Sequence, residues 1–193
     1  MAKRVYFAFH YQDVADLRAN VVRNHWVTKP DREAAGFFDA SIWEAAQKVG
    51  EDALKRLING AVENTSVTCV LVGSETYVRP WVRYELLKSF RRGNLLLAVH
   101  INSIKGKDSK TKPLGANPLE YLGVTFSADG KTATLWENAG SGWVQYDRIG
   151  GSATYAVNVA AEHRGKGYNL SHWYSTYDWV GHDGFNNFAS WIG

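Results

Sequence analysis

The sequence predicts an α/β fold in which a parallel β-sheet is flanked by helices. Apolar runs at residues 5–9, 66–72 and 95–101 predict three strands, and the run at 66–72 is β-branched and has the length of a fully covered strand. Helical segments separate these runs, and such alternation is typical of parallel sheets with right-handed crossovers. After Asn102 the pattern changes to short strand-like runs and a closing helix. We therefore expect an α/β core followed by a C-terminal elaboration of small β-hairpins and a final helix.

The other elements of the first half follow from apolar spacing and from its breakers. Residues 13–24 carry apolar side chains at nearly helical spacing and predict one helix. Phe37 and Phe38 are expected to begin a short second strand. Residues 42–60 predict a helix that is broken near Gly50.

The segment 64–87, NTSVTCVLVGSETYVRPWVRYELL, is the most informative part of the chain. It predicts a buried strand, a polar loop and a helix with Pro80 at its first position, where the missing N–H costs nothing. Trp81, Val82 and Glu85 share one side of that helix, because residues three and four apart are neighbours. Glu85 is thus expected near the carboxyl end of a parallel strand, where ligand crevices of open α/β sheets form.

The second half predicts small antiparallel hairpins. Short strand-like runs at 124–126, 132–137 and 143–146 are separated by glycine-containing turns. A closing helix over 182–192 would place three apolar side chains on one face, namely Phe185, Phe188 and Ile192. No long linker divides the chain. We expect a single domain over 1–193, with a core at 1–102 and the elaboration at 103–193.

Composition excludes several classes of protein. The net charge of +3 is mild, and the lysines near 105–112 and the arginines around Glu85 are expected to be solvated. No nucleic-acid module is recognisable, the histidines lack metal-ligand spacing, and Rossmann and Walker signatures are absent. We therefore assign no metal, no nucleic-acid partner and no bound cofactor.

Targeting signals are also missing from the sequence. Met-Ala-Lys-Arg leads directly into a strand, so no signal peptide is expected, and no apolar run approaches the roughly 20 residues of a membrane span. The one cysteine, Cys69, lies inside the third strand and excludes a disulfide framework. The expectation is a soluble, cytoplasmic protein with no membrane partner.

The segment 64–87 resembles the strand-loop-helix of Toll/interleukin-receptor (TIR) domains. Their pattern is an apolar strand, a Ser, a Tyr and then Trp-Cys-x-x-Glu-Leu, which Ser74, Tyr77 and residues 81–86 match, with Val82 in place of the Cys. The resemblance implies a TIR or flavodoxin-like sheet. In TIR domains that cleave NAD, the Glu of this motif is catalytic, so the resemblance implies that role for Glu85.

The chain is also similar to the TIR-like proteins of bacterial Thoeris anti-phage systems. The matching segments are 4–27, 81–85, 177–180 and the final aromatic residues, so the similarity spans nearly the whole chain. It implies an enzyme that converts NAD⁺, as substrate, into a cyclic ADP-ribose isomer that activates a separate effector. A phage component as trigger and a homo-oligomer are open alternatives.

Glu85 has two interpretations. A glutamate on a basic helix is commonly exposed, where it could pair with Lys88 for a few tenths of a kcal/mol. The surrounding motif and the position at a strand end favour the catalytic role. Breaking the nicotinamide–ribose bond creates an oxocarbenium-like ribose and expels a neutral leaving group. One fixed carboxylate can stabilise that positive charge without a second acid.

Six further side chains are candidate substrate-binding residues: Phe9, His10, Asp39, Trp43, Ser74 and Trp81. The first two follow strand one, where family members contact the dinucleotide. Trp81 could stack on the ligand or anchor its helix, and Trp43 could line the pocket or the core. Asp39 could bind substrate or cap the next helix, and Ser74 could contact ligand or hydrogen-bond within its loop.

Two other functions stay open at this point. One is a non-catalytic TIR scaffold that acts by binding proteins, and the other is a hydrolase of another nucleotide. The aromatic residues near the end of the chain could cover a site and keep water out, or could simply fill a second core; they are Trp173, Tyr174, Tyr177 and Trp179.

Overall fold

A parallel sheet of five strands forms the centre of the molecule in a computed structural model, which describes residues 3–38 and 40–193. Numbered along the chain, its strands are β1 (Lys3–Phe9), β2 (Arg32–Ala35), β3 (Val67–Val72), β4 (Leu95–His100) and β10 (Thr176–Asp178). Their order is β10-β4-β3-β1-β2, and each neighbouring pair is parallel. The α/β class predicted from the sequence is confirmed.

Helices cover both faces of this sheet. They are α1 (Tyr11–Ala15), α2 (Arg18–Val27), α3 (Ala40–Val49), α4 (Glu51–Glu63), α5 (Pro80–Arg92) and α6 (Gly184–Trp191). Because side chains alternate along a strand, Val5 and Phe7 of β1 pack with α2 and α6, while Tyr6 and Ala8 pack with α4 and α5. None of these described helices combines the length and apolarity needed to cross a membrane.

A second, antiparallel sheet follows the α/β half. Its strands are β5 (Leu122–Phe126), β6 (Thr132–Asn138), β7 (Trp143–Gln145), β8 (Thr154–Ala156) and β9 (Gly167–Asn169). The order is β7-β6-β5-β9, with β8 also paired to β6, so the predicted hairpins are confirmed. Leu122, Val124 and Leu135 of this sheet belong to the same apolar cluster as α5. The division into one domain over 1–193 stays a prediction.

The end of the chain returns to the first sheet. Residues Thr176–Asp178 pair in parallel with β4, although the sequence indicated no strand there, because three residues are too short to show a period. Helix α6 buries Phe188 and Ile192, as expected. Phe185, which the sequence places on the same helix face, is 65% exposed and lies outside the apolar cluster of the other two. The first turn of α6 lies over the end of α2, where Phe185 contacts the His25 ring at 4.6 Å.

The second strand lies earlier than the sequence predicted. It ends at Ala35, and Phe37 and Phe38 follow it outside any strand. The reason is Gly36, whose φ of +90° turns the chain away and where a Cβ would meet the carbonyl oxygen of Phe7 at 2.2 Å. The apolar Phe37 is used for ring packing instead, with its centroid 4.4 Å from that of Phe9.

The helix predicted over 13–24 is two helices. Leu17 adopts a left-handed conformation with φ of 68° and separates α1 from α2. Beyond this turn Arg18 is buried, and its guanidinium donates to the carbonyl oxygens of Ile104 and Lys110 at 3.0 and 2.6 Å. Residues 105–112, which hold four lysines, are therefore held against the core by hydrogen bonds to the backbone, while most of these lysine side chains remain exposed.

The solvated face expected for the α5 arginines is wrong for Arg83. This residue is only 7% exposed, and its Nη1 donates to Glu137 Oε2 of β6 at 2.9 Å. Its Nε donates to the carbonyl oxygen of Tyr77 at 3.1 Å. The second sheet covers this side of α5, and no pattern within the helix itself could reveal that contact.

Candidate active site

A cavity of about 360 Å³ opens beside the carboxyl end of β1 and the first turns of α5. Its walls also include residues that follow β2 and one residue of α3. The lining residues are Phe9, His10, Tyr11, Gly36, Phe38, Gln47, Arg79, Pro80, Trp81, Val82 and Glu85. The volume lies in the range of small-molecule sites, and the position matches the crevice of open α/β sheets.

Helix α5 carries Glu85 into this cavity. Pro80 stands in its first turn as the sequence predicts, and Gly93 ends it in a left-handed conformation with φ of 87°. Most of α5 is buried because the helix packs against both sheets. Glu85 lies in its second turn, on the side that faces β1, and it is only 6% exposed. An exposed glutamate paired with Lys88 is therefore excluded.

The Glu85 carboxyl has one hydrogen-bond donor among the described residues. The buried Tyr6 hydroxyl of β1 donates to Oε1 at 2.8 Å, whereas Oε2 is buried with no partner there. Burial raises the pKa of Glu85 from 4.5 to about 8, and the hydrogen bond from Tyr6 opposes that rise. A carboxyl with such a pKa in a cavity is a strong candidate for chemistry.

Trp81 both lines the cavity and anchors α5. Its ring packs against the main apolar cluster and meets the Tyr84 ring edge-on at 5.7 Å. The Arg148 guanidinium lies 5.0 Å from the Trp81 ring centroid, and Arg148 also pairs with Glu51 of α4 at 3.0 Å. The two roles left open for Trp81 are thus compatible, because one face of an aromatic ring can be held while another lines a cavity.

Two basic side chains, His10 and Arg79, belong to the cavity wall. Arg79 pairs with the exposed Glu75, one helical turn earlier. Burial and the nearby Arg79 charge lower the pKa of His10, which therefore favours the neutral imidazole at pH 7. Of the lining residues that the structure describes, Arg79 carries a permanent positive charge, and it suits an anionic part of a ligand.

The predicted site residues divide into three groups. Phe9, His10 and Trp81 line the same cavity as Glu85. Ser74 does not line it, and its hydroxyl donates to the carbonyl oxygen of Pro113 at 2.9 Å.

The third group has side chains that the structure does not describe. Asp39 lies outside the described residues, and Trp43 lies in α3 with an undescribed side chain. The functional roles of all these residues stay predictions.

Sequence reasoning missed several residues of this site. Tyr6 lies inside an apolar strand, and its hydroxyl in that context was the only available signal. Tyr11 and Gln47 come from two different segments, and only the tertiary fold brings them together beside Arg79, one of the arginines around Glu85. Gly36 and Phe38 reach the cavity because the chain turns out of the sheet after β2.

The C-terminal aromatic residues do not line this cavity among the described side chains. Trp179 is 6% exposed and packs against Phe188, while Tyr177 stacks on Trp191 at 4.1 Å. Trp173 and Tyr174 pack on Phe90 of α5. Of the two interpretations left open by the sequence, these contacts favour filling of the core.

Comparisons with known proteins give matches that include every described residue lining this cavity. A family model described as "Thoeris protein ThsB, TIR-like domain" matches residues 6–105. A protein of Bacillus cereus (strain MSX-D12), named "Putative cyclic ADP-D-ribose synthase ThsB1", is 55% identical over 194 residues. The alignment covers 100% of each chain, so the similarity includes the second sheet and α6 as well as the cavity.

Proposed function

Since this chain belongs to the ThsB family of Thoeris TIR-like proteins, we propose that it cleaves NAD⁺ and makes a cyclic ADP-ribose signal. The observation that carries the proposal is the buried Glu85 carboxyl in a cavity at the carboxyl end of the sheet. A scaffold that only binds proteins has no use for an acid held in such a place.

The reaction begins with heterolysis of the bond between the ribose C1′ and the nicotinamide nitrogen. The electron pair leaves with nicotinamide, which departs neutral, and positive charge develops on the ribose ring. The Glu85 carboxylate stabilises that charge or holds a ribose hydroxyl. An atom of the same ADP-ribose then attacks C1′, and the proton it loses is released, so the product has the mass of ADP-ribose less one water.

The charge of the substrate matters because the empty site favours a protonated carboxyl near neutral pH. NAD⁺ carries a positive nicotinamide ring, and an opposite charge nearby lowers the pKa of a carboxyl. Binding of NAD⁺ at Glu85 would thus favour the ionised form that the reaction needs. A neutral nicotinamide ring, as in NADH, offers no such assistance.

Cyclisation requires that water be kept from C1′ while the internal nucleophile is held against it. Positioning alone supplies effective molarities of about 10⁵ M or more in favourable cases. Phe9, Phe38 and Trp81 contribute apolar surface to the cavity wall, and this surface supports the cyclising reaction over hydrolysis.

The wider role follows from the family. The cyclic product would diffuse to a separate effector, a phage component would act as the trigger, and the protein would work in the cytoplasm, where NAD⁺ is abundant. Assembly into a homo-oligomer belongs to the same proposal.

Chromatography with mass spectrometry of small molecules tests the function. The protein is expressed in cells with and without phage infection, beside a Glu85→Gln variant and a Glu63→Gln control on the exposed end of α4. The wild type and the control should give a species of ADP-ribose mass less one water, and the Glu85 variant should not. If linear ADP-ribose accounts for nearly all NAD⁺ consumed, a plain NAD hydrolase replaces the cyclase. If no NAD⁺ is consumed in either condition, the enzymatic proposal fails.

A further inference from the structure

Tyr6 is a buried polar group that the reaction described above leaves without a role. Its side chain is 0% exposed and lies on the face of β1 that packs against α5. Its hydroxyl donates to Oε1 of Glu85, 79 positions later in the chain, at 2.8 Å. An apolar phenylalanine would satisfy the packing of this face, so the hydroxyl needs a separate reason.

The geometry of the pair is asymmetric. Tyr6 donates a hydrogen bond to Oε1 of Glu85, which lines the cavity. The second carboxyl oxygen, Oε2, is buried and has no donor among the described side chains. A carboxyl held at one oxygen cannot rotate freely, so its second oxygen keeps one direction. In the empty cavity that oxygen is buried without a donor, and it is the acceptor left for a ribose hydroxyl or a developing positive charge once substrate occupies the cavity.

We propose that Tyr6 is a positioning residue, which holds Oε1 of the Glu85 carboxyl and leaves Oε2 for the reacting ribose when substrate binds. The inference rests on the proposed NAD⁺ cleavage and adds to it the residue that orients its acid. Tyr6 acts through Glu85 and contributes no atom to the bonds that form or break.

A second effect of the same hydrogen bond concerns ionisation. Burial and the Glu85 charge raise the pKa of Tyr6, so its hydroxyl remains a donor at neutral pH. Donation to a carboxylate is stronger than donation to a neutral acid, so the bond favours the charged form of Glu85. Among the described lining residues the other ionisable groups are His10, Tyr11 and Arg79, and the causes that shift the pKa of Glu85 are burial and the Tyr6 hydrogen bond.

The test compares Tyr6→Phe with Tyr84→Phe. Phenylalanine keeps the apolar body of each buried ring and removes only one hydroxyl. Tyr84 precedes Glu85 on α5 and is 2% exposed, and its hydroxyl donates to Asn59 away from the cavity, so it is a matched control. Thermal melting first establishes that both variants fold.

For Tyr6→Phe we expect kcat to fall about tenfold or more, with KM within about threefold, because a hydrogen bond to a charged group is lost. The acid limb of the kcat/KM profile should move to higher pH by about one unit, since loss of the donor raises the pKa of the carboxyl. Tyr84→Phe should change neither quantity. The inference would be overturned by a folded Tyr6→Phe variant that has the kcat of the wild type and the same acid limb in its pH profile of kcat/KM.

A measurement that does not depend on catalysis tests this inference separately from the proposed function. The side-chain carboxyl carbon of Glu85 is followed by ¹³C NMR across pH in the wild type and in Tyr6→Phe. An upward shift of the midpoint in Tyr6→Phe supports the link between the two side chains even if the wild type consumes no NAD⁺. An unshifted midpoint removes the link while leaving the enzymatic proposal intact.

Discussion

Replacing Glu85 by Gln should abolish the reaction and stabilise the protein at neutral and alkaline pH. Glutamine keeps the volume and an oxygen that can accept the Tyr6 hydrogen bond at 2.8 Å, but it cannot ionise. The positive charge that develops on ribose then lacks its partner, and we expect a loss on the order of a hundredfold or more in rate.

The stability effect follows from the raised pKa of the carboxyl. The folded state holds the Glu85 proton with a pKa of about 8, against an ordinary value of 4.5. A pKa that is higher in the folded state contributes stability that is fully present below pH 4.5 and is lost as pH rises toward 8. The loss amounts to about 3 kcal/mol at pH 7 and approaches about 5 kcal/mol at pH 9. The glutamine side chain cannot ionise, so the variant keeps this stability at every pH.

Urea unfolding at several pH values between 5 and 9 measures this difference. The free energy of unfolding of Glu85→Gln should exceed that of the wild type by an amount that grows with pH. The exposed Glu63→Gln variant should follow the wild type throughout. A folded Glu85→Gln variant that forms as much product as the wild type would refute the catalytic assignment. A stability difference that does not depend on pH would refute the argument from burial.

Two further substitutions separate packing from binding. Trp81→Ala should lower the melting temperature and the activity together, at a cost near the lower end of the roughly 3–5 kcal/mol for a buried Trp, because its ring is partly buried between Tyr84 and Arg148; an unchanged melting temperature would show that the ring serves the ligand alone. Ser74→Ala should leave kcat/KM within about twofold, since the hydroxyl donates to the Pro113 carbonyl outside the cavity; a tenfold loss with an unchanged melting temperature would place this hydroxyl at the substrate.

Local patterns in the sequence were sufficient for the α/β class and for most of its buried elements. The buried strands β3 and β4, the Pro80 start of α5 and the antiparallel hairpins depend on neighbouring residues, whose apolar spacing and turn chemistry can be recognised directly. The motif around Glu85 likewise placed the acid on the correct helix and beside the correct end of the sheet.

Where a single long-range contact decided the outcome, the patterns failed. Arg83 is buried because β6 supplies Glu137, and β2 ends early because Gly36 passes against the Phe7 carbonyl. β10 is a strand only because β4 offers it a parallel edge. In each case the partner lies far away in the chain and leaves no mark on the local spacing.

By itself the sequence determined that this protein has a parallel α/β core and an acid beside its crevice. Only the tertiary structure decided the state of that acid. The pKa of Glu85 depends on the loss of water around it and on one hydroxyl from β1, 79 positions away. Burial and long-range hydrogen bonds are properties of packed surfaces, so the cavity and the charge of its carboxyl exist only once the two sheets enclose α5.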